Sequence, residues 1–257
     1  MEITLEYNEA IAFFMNIVKN SFDFIIPIYM YNKSKRYPEF VGSSVYCTLG
    51  SKRLLLSADH VFKRIYPEKI LYPFSKTHVT EIIEIPCDGI HWHKESELDI
   101  GIIELEKELL GWEPLLSEYF TSFNDNKKYQ HLLIGYPGSS TKKSDRTTQR
   151  IELKGYLTNA ASKEKYSRLK VNKNDKLLVE FKKENVLDDK GRRLTFPDPN
   201  GMSGGAVFQF YEDQPDNMNL VGIMNEWDIN KKDVVIATRI EKYLELFDFK
   251  RINLTIA

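Results

Sequence analysis

The apolar residues of this chain occur in short runs that are separated by turn-forming residues. Gly, Pro, Asn and Asp cluster between the runs, as in Ser34–Pro38, Pro86–Gly89 and Pro137–Ser140. Many short strands with frequent turns are typical of a sandwich or barrel and not of alternating βαβ units. The runs predict strands at Phe24–Tyr31, Ser43–Leu49, Arg53–Ser57, Thr80–Ile85, Ile100–Leu105, His131–Tyr136, Ile151–Leu157, Lys176–Phe181, Ala206–Phe210, Leu220–Met224 and Val234–Thr238.

Two segments have apolar residues at helical spacing instead. Residues 8–20 predict an amphipathic helix with Asn8 as its N-cap, and residues 239–249 predict a closing helix. Between the strand-rich halves, Ser117–Lys128 is polar and predicts a linker. The pattern therefore predicts an all-β body that begins and ends with a helix.

Charge and cysteine content narrow the class of protein. Lys and Arg total 36 against 37 Asp and Glu, a net charge of −1, which argues against a globally basic nucleic-acid binder. The 2 cysteines cannot form a disulfide scaffold and fit a reducing compartment, so we expect a cytoplasmic protein. The early apolar run at residues 10–18 is too short to span a bilayer, and its acidic flank is unlike a signal peptide.

One local charge bias departs from this balance. Residues 127–176 contain 13 Lys and Arg against 4 Asp and Glu, which leaves 23 basic and 33 acidic residues elsewhere. A solvated loop region is the first explanation, and a surface for an acidic substrate, partner or nucleic acid is the second.

Three segments carry candidate chemistry. In the first, the strand that ends at Ser57-Ala58-Asp59 is followed by His60. In the second, Asp99 opens the apolar strand Ile100–Leu105. Each is a weak signal alone, because a histidine or an acid at a strand end is usually a turn, core or capping residue.

The third segment, Gly201-Met202-Ser203-Gly204-Gly205, is more specific. Its glycines permit a tight turn that leaves consecutive N–H groups pointing at one spot, while the serine hydroxyl projects outward. A simple glycine turn into the following strand is the alternative.

Together the segments resemble the chymotrypsin/trypsin-like serine protease family, in the order His, Asp, Ser. That order differs from those of the subtilisin and α/β-hydrolase folds. Phe40–Val45, Leu133–Pro137, Val221–Ile223 and Ala237–Ile240 also resemble this family, and the resemblance runs from Phe24 to Phe249. It implies two perpendicular six-stranded antiparallel β-barrels, at residues 23–120 and 121–257, preceded by the helical segment 1–22.

The resemblance also implies roles for individual residues. Ser203 would be the nucleophile, His60 the general base and Asp99 the group that orients the imidazole. The backbone N–H groups of Gly201 and Ser203 would form the oxyanion hole. The substrate pocket would be lined by Pro197, Asn225, Glu226, Trp227 and Val235.

Three departures from the family pattern matter. Met202 stands where zymogen-type members have an Asp that pairs with a newly cut N-terminus, so the chain is closer to the intracellular, bacterial-type members that need no such cut. Asp59 replaces the usual Ala beside the histidine, and it would either raise the histidine pKa or face solvent. The family's disulfide beside the histidine is missing, and Cys47 and Cys87 are interpreted as core thiols.

The pocket residues indicate specificity. Pro197 occupies the pocket floor, where a preference for Arg or Lys needs an acid, and Trp227 would narrow the pocket. We therefore expect small or medium neutral residues before the cut.

Two functions from different classes remain. The first is a serine endopeptidase that acts on protein or peptide substrates, without cofactor or metal, under the control of a regulatory partner. The second is a trypsin-like binding module without turnover that uses segment 127–176 as its contact surface. A metal site at His91-Trp92-His93 is not favoured, because only Glu95 offers a further ligand.

Overall fold

The fold of this chain is given by a computed structural model. It describes residues 23–31, 38–65, 69–73, 82–85, 92–126, 128–138, 152–182, 186–187, 193–211, 214–228 and 230–247. Its strands are β1 (Ile25–Met30), β2 (Glu39–Leu49), β3 (Lys52–Ala58), β4 (Ile70–Pro73), β5 (Ile82–Ile85), β6 (Trp92–Glu95), β7 (Ile100–Leu105), β8 (Leu115–Leu116), β9 (Tyr129–Gly135), β10 (Lys154–Thr158), β11 (Lys176–Glu180), β12 (Val186–Leu187), β13 (Arg193–Leu194), β14 (Ala206–Tyr211), β15 (Gln214–Trp227) and β16 (Val234–Arg239). Its helices are α1 (Asp59–Lys63), α2 (Lys163–Leu169) and α3 (Ile240–Leu246), with a 3-10 turn at Ser117–Tyr119.

Strands β1 to β8 form one sheet in the order β5-β4-β1-β2-β3-β7-β6, and β8 pairs in parallel with β2. The other pairs in this sheet are antiparallel. The sheet has 8 strands and not the six that the resemblance implies. Three of them, β4, β6 and β8, were not predicted because they are too short to show a clear apolar pattern. No ladder among the described residues joins the edge strands β5 and β6, and the chain is mostly β with a curled, half-barrel sheet.

The second sheet has 6 antiparallel strands in the order β10-β9-β14-β15-β16-β11. All of the strands predicted in this half of the chain are present. Strand β15 is the main difference, since it is 14 residues long and begins at Gln214, well before the predicted start at Leu220. Its first part is polar and therefore reads as a loop. A separate ladder joins β12 to β13.

A shared core lies between the two sheets. One buried cluster contains Val45 and Leu56 of the first sheet with Ile134, Ala206 and Ile223 of the second. These strands are buried on both faces, which explains why their sequences are apolar almost without interruption. The packing brings Gly42 and Ser43 of β2 and Ser57 near the end of β3 against the turn that precedes β14.

The predicted closing helix is present as α3, slightly shorter than expected. Its Tyr243 is buried, and the hydroxyl donates a hydrogen bond of 2.8 Å to the Ser57 carbonyl at the end of β3. The last helix thus ties the second half of the chain to the first. The predicted helix at residues 8–20 and the segment 1–22 lie outside the described residues.

The polar segment Ser117–Lys128 connects the two sheets, but much of it is packed. The Thr121 N–H donates to the Leu220 carbonyl at 3.0 Å, and Phe123 is buried in the core of the second sheet. Asn124 N–H donates to the Gln209 side chain at 2.9 Å. The chain therefore passes between the sheets along the surface of the second one and not through a free linker.

Cys47 lies in the core of the first sheet and is a free thiol. Burial raises its pKa, so the thiol stays protonated and unreactive. Cys87 lies outside the described residues. In the described part of the chain, none of the helices has the length and hydrophobicity needed to cross a bilayer.

His131 on β9 gives the fold a defined dependence on pH. Burial lowers its pKa to about 4, against the opposing effect of a hydrogen bond with the Asn124 backbone. Between pH 6.5 and 4 the unfolded chain therefore binds a proton that the folded chain does not, so stability falls as pH falls. We expect this to remove about 3 kcal/mol of unfolding free energy across that window.

Urea unfolding of the wild type and of His131→Gln at several pH values measures this contribution. The variant should lose less stability than the wild type between pH 6.5 and 4. Equal losses in the two proteins would contradict the assignment to His131.

Candidate active site

His60 is presented by a short helix at the end of a buried strand. Strand β3 ends at Ala58, and α1 follows at once with Val61 and Phe62 buried in the core of the first sheet. These anchors turn the opposite face of the helix outward, so the His60 side chain is 48% exposed. The helix was not predicted, because a single turn is too short to show a periodicity.

Asp99 lies against His60 at the start of β7. Its Oδ2 is 2.8 Å from His60 Nδ1, and its Oδ1 accepts a hydrogen bond of 3.0 Å from the His60 backbone N–H. Since a carboxylate is an acceptor only, Nδ1 carries the proton and Nε2 is left as the base. Both Asp99 oxygens are thus used to fix the orientation of the histidine.

The backbone and charge of Asp99 are both unusual. Its φ is 54°, a left-handed conformation that side-chain-bearing residues rarely adopt and that clusters at functional sites. Burial acts to raise its pKa, but hydrogen bonds from His60 and the charges of His60 and Lys176 outweigh burial and hold the pKa below its ordinary value. Asp99 is therefore ionised at neutral pH.

Asn225 on β15 connects Asp99 to the serine. Its Nδ2 donates to Asp99 Oδ2 at 3.2 Å and to the Asp99 carbonyl at 3.0 Å. The backbone carbonyl of Asn225 accepts a hydrogen bond of 2.8 Å from Ser203 Oγ. The sequence interpretation placed Asn225 in the substrate pocket, and the structure shows that its side chain is hydrogen-bonded to Asp99.

Ser203 lies in the turn before β14, and this turn is hydrogen-bonded to the first sheet. The Ser203 carbonyl accepts a hydrogen bond of 2.8 Å from the Ser43 N–H on β2. A Cβ on Gly42 would lie 3.1 Å from the Ser203 carbonyl oxygen and 2.9 Å from Val61, next to His60. The turn thus lies directly against the elements that carry His60. No hydrogen bond between Ser203 and His60 is found among the described residues.

The turn depends on Gly201, whose φ is +94°. Pro199 O accepts a hydrogen bond of 2.8 Å from Met202 N–H across it, a turn in which the third residue needs a positive φ. A Cβ on Gly201 would lie 2.6 Å from the Phe40 ring and 2.8 Å from the Gly138 nitrogen. Glycine is therefore required for both conformation and space.

The peptide planes in this turn aim two N–H groups away from the protein's own carbonyls. The Met202 carbonyl accepts from Gly205 N–H at 2.8 Å, so the trans peptide directs the Ser203 N–H the opposite way. The Asn200 carbonyl likewise accepts a 2.6 Å hydrogen bond from the Gly138 N–H, so the Gly201 N–H of the same peptide points the opposite way. Within the described part of the chain, neither the Gly201 nor the Ser203 N–H has an acceptor.

Ser43 is a buried polar junction between the sheets. Its Oγ donates to the Gly201 carbonyl at 3.2 Å and accepts from the Tyr136 N–H at 2.9 Å, while its carbonyl accepts from Ser57 Oγ at 2.8 Å. These bonds fix the serine turn relative to β2 and β3. The motif Phe40–Val45 contained this residue, but its sequence did not reveal the role.

Two of the departures from the family pattern are explained by packing. Asp59 does not face solvent: it is 1% exposed, forms an ion pair with Lys63 one turn later in α1, and accepts a hydrogen bond of 3.2 Å from Ser96 Oγ. Met202 is 2% exposed and lies in the core of the second sheet. Apolar packing thus occupies the place of an ion pair at Met202.

Three of the other predicted pocket residues lie on the adjacent strands β15 and β16 of the second sheet, where Trp227 pairs with Val235 and Glu226 precedes Trp227. Val235 is buried in the core of this sheet, and Trp227 packs against that core. Pro197 is half-buried. The Trp227 ring lies 5.8 Å from that of Phe181, and Lys232 Nζ lies 5.6 Å above it. Glu226 is exposed.

Four of the eight described basic residues of segment 127–176 are paired with acids of the same chain. Lys165 forms ion pairs with Glu180 and Asp233, and Arg168 binds Asp228 and Asp233. The remaining described pairs join Lys173 to Asp125 and Lys154 to Glu152. Ion pairs therefore compensate half of the described basic residues of this segment, while Lys128, Lys163 and Lys170 are exposed without an ion pair among the described residues.

No cofactor or metal ligand set emerges from the described side chains, which contain no group of three His, Cys, Asp or Glu residues that could hold a metal ion. His91 and the side chain of His93 lie outside the described set.

The sequence pattern missed the polar residues behind Asp99. Thr238 Oγ1 lies 2.6 Å from both the Leu98 carbonyl and Asn225 Oδ1, and Lys176 Nζ joins the same group. A polar residue inside an otherwise apolar strand, as at Asn225 and Thr238, was the available signal. It has no fixed spacing that names a role.

Comparisons with known proteins show the fold only. No family model matches the chain, and no curated protein matches it. A serine endoprotease from Yersinia pestis has a similar structure, with a TM-score of 0.50 and 14% identity, over 91% of this chain and 65% of that one. A structure from work on the coupled folding and binding of the disordered VPg protein of Sesbania mosaic virus gives a TM-score of 0.49 and 10% identity, over 87% and 88% of the two chains. The chain thus shares the trypsin-like β fold of the endoprotease at low identity and spans just under two thirds of that protein's length.

Proposed function

We propose that this protein is a serine endopeptidase that cleaves protein substrates through an acyl-enzyme. The observation that carries the proposal is the 2.8 Å contact between His60 Nδ1 and Asp99 Oδ2, with Ser203 joined to the same pair through Asn225. The base and the orienting carboxylate are then in the relation that peptide-bond hydrolysis needs, and Asn225 links the nucleophile to them. The similarity to a serine endoprotease supports the fold on which this proposal rests.

The reaction follows from the hydrogen bonds. Ser203 Oγ attacks the carbonyl carbon of the scissile bond while His60 Nε2 takes the hydroxyl proton. Asp99 stabilises the imidazolium that forms, since its oxygens already accept from Nδ1 and from the backbone N–H of His60. His60 then returns the proton to the leaving amine, and water releases the acyl group from Ser203 by the same route.

The negative oxygen of the tetrahedral intermediate needs donors that are not already used. The Gly201 and Ser203 N–H groups meet that condition within the described residues. Loss of one such donor typically costs about 10²- to 10³-fold in kcat. Since the two peptide planes are held by Gly138 and Gly205, these donors are oriented before substrate binds.

The resting hydroxyl must change partner before attack. Ser203 Oγ donates to the Asn225 carbonyl at 2.8 Å, and in the reaction it donates to His60 Nε2. Catalytic hydrogen bonds of a free enzyme are often loose and tighten only when substrate is bound. We propose that substrate binding drives this rotation of the serine side chain.

For the architecture we propose two barrels, at residues 23–120 and 121–257, with the active site in the groove between them. The first sheet carries His60 and Asp99, and the second carries Ser203. The 2.8 Å hydrogen bond from Ser43 to Ser203 supports this division, because it joins one sheet to the other at the site.

A fluorophosphonate probe tests the proposal directly. We expect the uncleaved chain to be labelled at Ser203, with the segment Met1–Ser21 still attached, because Met202 is held by packing and needs no liberated amine. Ser203→Ala should abolish labelling. If a correctly folded wild type is not labelled, with or without an added partner protein, the proposal fails and the binding-module alternative gains support.

The pocket residues lead to a specificity prediction. Trp227 lies in the predicted pocket with the Lys232 ammonium 5.6 Å from its ring, and Pro197 supplies no acid. We therefore expect cleavage after small or medium neutral residues, as measured by profiling on a peptide library. Trp227→Ala should raise kcat/KM for large apolar residues at this position by about 10-fold, since an added side chain can fill the space.

Glu226→Gln is the control for this profile. Glu226 is exposed, and its replacement should leave the preference for neutral residues unchanged. Dominant cleavage after Arg that disappears in Glu226→Gln would show that Glu226 is the acid of the pocket and would overturn the prediction.

A further inference from the structure

Lys176 lies behind the candidate triad, at the start of β11. Its Nζ donates hydrogen bonds to the Leu98 carbonyl at 2.5 Å, to Asn225 Oδ1 at 3.1 Å and to Thr238 Oγ1 at 2.6 Å. An ammonium group has three N–H donors, so these partners use all of them. The side chain thus bridges the second sheet to the residue immediately before Asp99.

This environment is costly for a cation. Among the described carboxylates, none lies within ion-pair distance of Lys176 Nζ, whereas Lys165 on nearby α2 has both Glu180 and Asp233 as direct partners. Burial lowers the pKa of Lys176, and the charges of Asp99, Glu226 and Asp175 act in the opposite direction. A structural lysine would be more stable in a direct ion pair, so this placement calls for another explanation.

The hydrogen bonds show what the ammonium does. Asn225 Oδ1 accepts from Lys176, which leaves Nδ2 to donate to the carboxylate and the carbonyl of Asp99. A flipped amide would place Oδ1 against the Asp99 carboxylate and Nδ2 against the ammonium. The cation therefore favours the only amide orientation that supports Asp99.

The same ammonium restrains the backbone at Asp99. Leu98 O accepts a hydrogen bond of 2.5 Å from Lys176, and the Thr238 hydroxyl, 2.6 Å from both Leu98 O and Asn225 Oδ1, gives its single proton to one of the two. Asp99 follows with a φ of 54°, a conformation that persists only where its surroundings hold it. Lys176 thus contacts both the peptide that precedes Asp99 and the amide that binds it.

We propose that Lys176 is a positioning residue of the triad: it fixes Asn225 and the Leu98 carbonyl so that Asp99 faces His60. This inference rests on the proposed function of the site. The positive charge of Lys176 also lowers the pKa of Asp99. The charged groups that face Lys176 are Asp99, Glu226 and Asp175, and the titratable groups that face Asp99 are His60, Lys176 and Tyr243.

The test is the rate of fluorophosphonate labelling of Ser203 as a function of pH. Lys176→Met removes both charge and donors, and Lys176→Gln removes the charge but keeps an amide donor. We expect Lys176→Met to be labelled about 10- to 100-fold more slowly at neutral pH. In both variants the acid limb of the profile, the fall in labelling rate at low pH, should shift to a pH that is higher by about 0.5 to 1 unit. The reason is the loss of a positive charge near Asp99. Lys176→Gln should keep more of the rate than Lys176→Met.

Lys165→Met is the matched control. Lys165 is also partly buried and contacts the other end of β11, at Glu180, but it has no contact with Asp99, Asn225 or Leu98. Its variant should lose stability without a shift of the acid limb. Thermal unfolding of every variant separates loss of fold from loss of positioning, and Lys176→Gln supplies the profile if Lys176→Met does not fold.

The outcomes separate this inference from the proposed function. If the wild type is labelled at Ser203 while both Lys176 variants keep its rate and its acid limb, the inference is wrong and the proposed function stands. An acid limb that moves equally in Lys165→Met would also overturn it, because the effect would then be general. A folded wild type that is never labelled overturns both.

Discussion

Replacing Asp99 with asparagine should slow the reaction of Ser203 by about 10³- to 10⁴-fold while the protein stays folded. The asparagine Oδ1 can still accept from the His60 backbone N–H, as Asp99 Oδ1 does at 3.0 Å. Its NH₂ group then occupies the place of Oδ2 and faces His60 Nδ1. Nδ1 must become the acceptor, which moves the imidazole proton to Nε2 and removes the base.

Asn225 adds to this effect. Its Nδ2 donates to Asp99 Oδ2 at 3.2 Å, and in the variant it would face another NH₂ group. The two donors repel each other, so the loss extends to the contact that joins the pair to the serine. The measurements are kcat/KM on the best peptide from the library profile and the rate of labelling.

Glu97→Gln is the control for the loss of a carboxylate at this turn. Glu97 is exposed and two residues from Asp99, so its replacement should stay within a few-fold of the wild type. Near-full activity of Asp99→Asn would show that another group orients His60. The triad assignment would then be withdrawn, even if Ser203 proved essential.

The strands that the sequence pattern could predict are those with a strong apolar run. Strand β7 was predicted with the bounds that it has, Ile100–Leu105, because it is buried along almost its whole length. Strand β4 was missed, since its four residues are followed by a polar stretch with no alternation. Short edge strands depend on pairing with a neighbour, which a local pattern does not contain.

Local pattern also could not place charged side chains. For Asp59 the sequence left two alternatives, and the structure shows a buried ion pair with Lys63, one turn along a helix that was not predicted. Recognition of α1 would have indicated this pair, because residues four apart share a helix face. The sequence analysis lacked the Asp59–Lys63 pair because it missed this helix.

The residues of the candidate site also divide into those that a local sequence pattern indicates and those that it does not. The order of His60, Asp99 and Ser203 could be recognised from short motifs, because His60 and Ser203 lie next to small residues and Asp99 opens an apolar strand. Lys176 and Thr238 act by contacting Leu98, from which they are separated by 78 and 140 residues in the sequence. Contacts of that separation are set by the fold, and no motif in the chain encodes them.

Gly204→Ala should destabilise the protein more than any other single methyl addition in the serine turn. The φ of Gly204 is +84°, and a Cβ there would overlap the Ser43 carbonyl oxygen and Ser57 Oγ and lie 2.9 Å from the Ser43 carbonyl carbon. Backbone atoms of β2 cannot move aside without breaking the junction between the sheets. We expect a loss of about 4 kcal/mol or more, which is a large part of the stability of an ordinary domain.

Gly111→Ala separates the steric part of this loss from the conformational part. Gly111 has a similar φ of +81° but is exposed, so its replacement should cost only the left-handed conformation, about 1 to 2 kcal/mol. Urea unfolding of the two variants measures the difference. If Gly204→Ala loses no more stability than Gly111→Ala, then the serine turn does not lie as close to Ser43 and Ser57 as this structure has it. The contact between the two sheets at the candidate active site would then have to be redrawn.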